Sequence, residues 1–254
     1  MSDRKVRKLK VKQTYALSEN MKRIQLTGDD LADFPMGCEG GYIKLLFPQA
    51  CETQIGDGSK PRMRSYTVRA FDKTQLTLDL DFVAHGDNGP ASTWALSARV
   101  GDEISMIGPG VVKLPDMTSD WFFLVGDMTA LPALSVIVEG LPKTAKGYLV
   151  VELLSDQDKP QLDLPKGMQL EYVINPDQET PSSLLADKVM SLPWLGEGGF
   201  VWSACEMSSM KQLRHYFLKE KMLSRDLIYI SSYWKMGVSD EGHKLAKKED
   251  AQNT

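Results

Sequence analysis

Cysteine is scarce in this chain. Cys38, Cys51 and Cys205 are odd in number and widely separated, and none stands in a Cys-x-x-Cys pair. That pattern excludes a disulfide framework and a thiolate-held zinc or iron–sulfur centre, and it fits a reducing, cytoplasmic compartment. Histidine is as rare: His85, His215 and His243 are too scattered to suggest an iron site, so no protein-bound metal is expected. There is no Gly-x-Gly-x-x-Gly and no Walker motif. The most apolar run, WFFLVGDMTALPALSVIV from Trp121, is interrupted by Asp127 and Pro132, and the N-terminus lacks an apolar signal core. No membrane partner is therefore expected. A large excess of one charge is missing too. The net charge of −4 argues against nucleic acid as a partner, and the locally basic DRKVRKLKVK reads as a solvated strand edge.

What is present divides the chain in two. KVRKLKVKQTYAL, MKRIQLTG, GYIKLLFP, RSYTVRAF, TQLTLDLDFV and DEISMIG are short β-rich segments separated by Gly, Pro and Asp clusters. They predict a small antiparallel Greek-key β-barrel over residues 1–116, with ASTWALSAR its one helix. VKLPDMTSD reads as a linker. From there strands (WFFLVG, GYLVVELL, MQLEYVI, GFVWSA, LIYISSYW) are interspersed with helical segments (ALPALSVIVEGL, SSLLADKVMSL, SSMKQLRHYFLKEKM). This predicts a Rossmann-like parallel α/β domain over residues 117–254, with a polar tail frayed at its end. The fold class is thus a β domain followed by an α/β domain.

Two segments carry chemistry. In RMRSYTVR, period 2 puts Arg64 and Tyr66 on one face of a strand and Ser65 and Thr67 on the other. A guanidinium there can fork onto a pyrophosphate while the aromatic ring and hydroxyl line a cofactor. In HGDNGPASTWA, Gly89 permits close backbone approach, Pro90 suits a helix start, and Ala91 and Ser92 leave amide hydrogens uncovered for an anionic group. In the second domain, Gly126-Asp127-Met128-Thr129 follows the first strand, and Asp127 or Thr129 can cap the helix that begins near Ala130 to Pro132.

The order Arg-x-Tyr-Thr, then GPASTWA, resembles the FAD half of the ferredoxin-reductase superfamily. With GGYIKLLFP, GDEISMIGPG, GDMTALPAL and YWKMG in sequence, the chain is similar to the bacterial siderophore-interacting proteins, FAD-dependent ferric-siderophore reductases, from about Val11 to Gly242. The resemblance implies an FAD site made of Arg64, Ser65, Tyr66, Thr67, Val83, His85, Gly89, Ala91 and Ser92, with Thr129 near where a nicotinamide stacks and Trp234 at the flavin. It implies that Lys44, Lys113 and Lys235 bind an anionic, catecholate-type ferric siderophore. The flavin then carries the chemistry, no side chain is catalytic, and the protein is a monomer taking electrons from NADH, NADPH or a ferredoxin-like protein. Two departures bear on the donor. Cys205 stands where the family has Gly, and reads as a small buried residue or as a cysteine beside the hydride-transfer point. Asn175 stands where relatives carry a cation, so strong preference for NADPH is not expected. A general NAD(P)H:flavin reductase, or a flavin-containing siderophore carrier, are the alternatives.

Overall fold

A computed structural model describes residues 5–48, 61–84, 89–177 and 179–252. The chain forms two compact units, Met1–Lys113 and Leu114–Thr254. In the first, seven strands make one antiparallel sheet: β1 (Val6–Ala16), β2 (Met21–Thr27), β3 (Tyr42–Phe47), β4 (Arg62–Thr67), β5 (Ala70–Asp72), β6 (Thr77–Val83) and β7 (Glu103–Ile107). Their order is β4-β3-β7-β1-β2-β6-β5. β4 also touches β6, so the sheet rolls up barrel-like around Leu9, Ile24, Leu26, Ile43, Leu45, Leu80 and Met106. Alternation builds that core: β1 buries Arg7, Leu9 and Val11 and turns Lys8, Lys10 and Lys12 outward.

Two expectations change here. The basic N-terminal segment is no edge. β1 lies mid-sheet, its backbone paired with β7 from Val6 to Lys10 and with β2 from Lys10 to Ala16. The RSYTVRAF segment is not one strand either. It breaks after Thr67, and Ala70–Asp72 pairs with β6 as a seventh strand. Helix α1 (Pro90–Ser97) packs against β2 and β6 through Ala91, Trp94 and Ala95.

The second unit is a five-stranded parallel sheet, β8 (Trp121–Asp127), β9 (Lys146–Leu153), β10 (Gly167–Ile174), β11 (Gly199–Glu206) and β12 (Ile228–Trp234), in the order β10-β9-β8-β11-β12. β8 and β11 are buried along their whole length, as central parallel strands must be when helices cover both faces. The helices are α2 (Leu131–Gly140), α3 (Leu184–Ser191) and α4 (Met207–His215), the last continuing through a π turn over Tyr216–Glu220. His215, where α4 passes into that π turn, is exposed and lies 3.8 Å from Glu220.

The C-terminal segment departs most from expectation. Asp240–Gln252 is a helix, α5, docked on β12 and α4. Arg214 grips Asp250 with two bonds of 2.6 and 2.8 Å. His243 meets Ser232 Oγ at 2.9 Å, and Lys247 donates to Ser231 Oγ and the Ser232 carbonyl. These polar contacts, rather than an apolar stripe, hold the helix. Among the described residues no helix is long and apolar enough to cross a membrane.

Candidate functional site

In the first unit the pairing register fixes which way β4 presents its side chains. Arg64 lies opposite Leu45 and Tyr66 opposite Ile43, both core residues, while Ser65 lies opposite Lys44 and Thr67 opposite Tyr42. Arg64 and Tyr66 thus share the barrel-side face, and Ser65 and Thr67 the other, as period 2 requires. Tyr66 packs its ring 4.2 Å from Phe82, which is 5.8 Å from Trp94 of α1. This aromatic chain ties the Arg64 strand to the helix start. Burial pushes the Tyr66 phenol well up, so it stays a neutral donor. Arg64 donates Nη1 to the Met63 carbonyl at 3.0 Å. Val83 ends β6, paired with Met21. His85 lies outside the described residues.

The start of α1 is bare. Its N-cap is Gly89, no side chain caps it, and Pro90 occupies the first turn. Gly89 has extended backbone, and a Cβ built on it would meet nothing within 4 Å among the described residues. The amides of Ala91 and Ser92 at this terminus carry the positive end of the helix dipole into that open space.

In the second unit, Thr129 and Trp234 meet on a residue assigned only a helix cap above. Asp127, buried at the end of β8, accepts from Thr129 N (2.9 Å), Thr129 Oγ1, Glu206 N (2.8 Å) and Trp234 Nε1 (2.8 Å). It does not cap α2, whose N-cap is Ala130. Its carboxylate instead closes the strand-to-helix turn on itself and pins β11 and β12. Only Gly fits at 126, where a Cβ would lie 2.8 Å from Ala130 Cβ and 2.9 Å from the Ala204 carbonyl. Burial raises the Asp127 carboxyl, opposed by the donors aimed at it.

Beside it, at the end of β9, Glu152 is pushed up to about 7, first by burial and then by the charges of Asp127 and Glu206. Asn175 donates to its Oε1 at 3.3 Å, while Oε2 is buried without a hydrogen-bond partner. Glu206, at the end of β11, accepts from Ser208 N and Oγ and from Met236 N. Three carboxylates therefore crown the carboxyl ends of β8, β9 and β11, where ligands approach open α/β sheets. Sequence reasoning missed this grouping because the three lie far apart along the chain and each reads alone as a strand end. Cys205 is fully buried among Val125, Met207 and Met210, and burial, then Asp127, raises its thiol well above the ordinary range. Its side chain lies in the core of the second unit, as the reading of a small buried residue expects.

Of the lysines, Lys44 is half-buried on β3, Lys113 is exposed and closes the first unit, and Lys235 is half-buried just past β12 in the second. Neither the Lys44 nor the Lys235 ammonium has a hydrogen-bond or ion-pair partner among the described residues.

Comparison with known proteins joins the two halves. Residues 10–113 match the siderophore-interacting FAD-binding domain, and residues 119–237 match the siderophore-interacting protein domain. The ferric vibriobactin reductase ViuB of Vibrio cholerae serotype O1 is 34% identical over 239 residues, 89% of this chain and 88% of that protein. The chain belongs to the siderophore-interacting protein family. The siderophore-interacting protein SipS from Aeromonas hydrophila superposes with a TM-score of 0.88 at 32% identity, over 99% of both chains. The NADPH-dependent ferric-chelate reductase of Escherichia coli K12 is 28% identical over 92% of this chain and 94% of its own.

The first unit is therefore an FAD-binding domain, and its residues fit that group. The uncapped start of α1, with unfilled space over Gly89, suits a pyrophosphate, and Arg64 shares a strand face with Tyr66, tied to α1 through Phe82 and Trp94.

Proposed function

We propose that this protein is an FAD-dependent ferric-siderophore reductase that converts siderophore-bound Fe(III) to Fe(II) and so releases iron in the cytoplasm. One observation carries the reading. Lys44, a half-buried cation whose ammonium has no partner among the described residues, stands directly across the β3–β4 ladder from Ser65, on the strand face that Ser65 shares with Thr67. A cation without a carboxylate partner attracts an anionic chelate to that face, although the protein as a whole is acidic.

When bound, FAD supplies the one-electron chemistry, with NADH, NADPH or a ferredoxin-like protein as donor. Arg64 and the amides of Ala91 and Ser92 would hold its phosphates, Tyr66 and Thr67 would line it, and Lys44 and Lys235 would each offer a cation to the anionic substrate. Fe(II) carries less charge and binds hard oxygen ligands less tightly, so the ligand set loosens once the electron arrives. Relatives of 34% and 28% identity, named ferric vibriobactin reductase and NADPH-dependent ferric-chelate reductase, support the same chemistry.

The test is anaerobic. Chemically reduced holoprotein is mixed with ferric tris-catecholate and an Fe(II) trap, and flavin reoxidation is followed. Reoxidation with stoichiometric Fe(II) is expected, and Lys44→Ala should raise KM without lowering FAD content, with a loss that shrinks as salt rises. Release of free reduced flavin with no direct reaction would instead make the protein a general flavin reductase. Tight binding without Fe(II) would make it a carrier.

A further inference from the structure

Tyr42 is an aromatic residue at the start of β3 that keeps 40% of its surface exposed. Its ring has an unusual seat. A Cβ built on Gly110 would lie 2.3 Å from both Cε1 and Cζ of Tyr42, so the ring occupies the space that any side chain at 110 would take. The backbone fastens the same contact, Gly110 N donating to the Tyr42 carbonyl at 2.6 Å. Gly108 makes the turn possible with φ +133, where a Cβ would press on Ile43 at 3.1 Å. The segment Gly108–Pro109–Gly110 is thus moulded to hold one face of the ring and leave the rest in solvent.

Tyr42 does not stand alone. Lys44 is two residues along the same strand and therefore on the same face, about 6.5 Å further on at a strand's rise per residue. Opposite these two lie Thr67 and Ser65. The face offers, in order, a fixed aromatic plane and an ammonium with no partner among the described residues, with a hydroxyl across the ladder from each. A flat aromatic ring bearing anionic oxygens matches both features at once; an aliphatic chelate of the same charge matches only the lysine.

We infer that Tyr42 is a specificity-determining residue, on whose exposed ring an aryl arm of the ferric chelate stacks while its oxygens face Lys44. This rests on the reductase reading and names the residue behind the choice of chelate: without the Tyr42 ring, an aryl-armed chelate should lose its advantage over an aliphatic carboxylate chelate.

The test uses FAD-loaded protein and redox-inert gallium(III) complexes, so that binding is read apart from electron transfer. Dissociation constants are measured by calorimetry for gallium tris-catecholate and gallium citrate. Tyr42→Leu should weaken the tris-catecholate about five- to tenfold and citrate less than twofold, and Tyr42→Phe should restore wild-type affinity. Gly110→Ala is the second variant. Its backbone φ is not left-handed, so Ala is tolerated, yet its Cβ must push the intact ring off its seat. It should reproduce the Tyr42→Leu loss with unchanged melting temperature. Equal weakening of both chelates, no weakening by either variant, or no binding of the tris-catecholate by wild-type protein would overturn the inference. If wild-type protein binds the gallium complex selectively but its reduced flavin never yields Fe(II), the reductase reading fails and the recognition site stands.

Discussion

The indole Nε1 of Trp234 donates to Oδ2 of Asp127 at 2.8 Å, linking the last strand of the parallel sheet to the turn after its first. β11 lies between those strands, and its Glu206 amide donates to the same oxygen. One buried carboxylate thus fixes three strand ends relative to each other. Trp234→Phe, which keeps an aromatic plane but removes the donor, should cost about 1.5–3 kcal/mol, because the lost bond is to a buried charge-bearing group. Urea denaturation would measure it, and Asp127→Asn combined with Trp234→Phe should show non-additive losses.

Glu152 sets a pH dependence. Its folded carboxyl titrates near 7 against an ordinary value of 4.5, so the native state holds a proton that the unfolded chain has released. Its contribution to stability is therefore full below about 4.5, is lost as pH rises towards 7, and is level above. Glu152→Gln keeps an Oε1 acceptor for Asn175 and cannot ionise. Its melting temperature should match wild type near pH 5 and exceed it by about 2–4 °C at pH 8. A wild-type advantage at pH 8 would contradict this account.

Gly89 separates a ligand's space from packing space. A Cβ there meets no atom of the described residues within 4 Å, and the backbone is extended. Gly89→Ala should leave the melting temperature of FAD-stripped protein unchanged while weakening FAD binding about tenfold. Arg64→Ala should weaken FAD by about 10- to 100-fold, the equivalent of one charge-assisted bond. Fluorescence titration of stripped protein reads both.

Cys205 should be inert to thiol reagents in native protein, since its side chain is fully buried and its thiol is held protonated. Cys205→Gly should not speed reduction by NADH or NADPH. It should lower stability by about 1–3 kcal/mol, through the cavity and the added backbone freedom. Faster reduction at unchanged stability would return Cys205 to a nucleotide's path.

The strands of both units were legible because their periodicity is strong: β1 alternates burial for six positions, and β8 and β11 are apolar throughout. The facing of Arg64, Tyr66 and Ser65 followed from the same period. The position of β1 in the sheet did not, since its lysines say only which face is wet, not how many neighbours pair with its backbone. α5 was missed because His243 is its only buried side chain and its anchors, Ser232, Arg214 and Lys211, lie on other elements. The Asp127, Glu152 and Glu206 grouping was hidden for a related reason: the parallel crossovers bring together strand ends that are distant in sequence.

Tyr42 and Gly110 cannot vary independently. A seated ring at 42 forbids a side chain at 110, and a side chain at 110 evicts the ring. Across the family the two positions should therefore change as a pair, in two mutually exclusive states: an aromatic over glycine, or a larger residue at 110, such as a cation, with a small or reoriented residue at 42. A single replacement at either position removes the seated ring, so the chelate preference of a branch should switch abruptly and not drift.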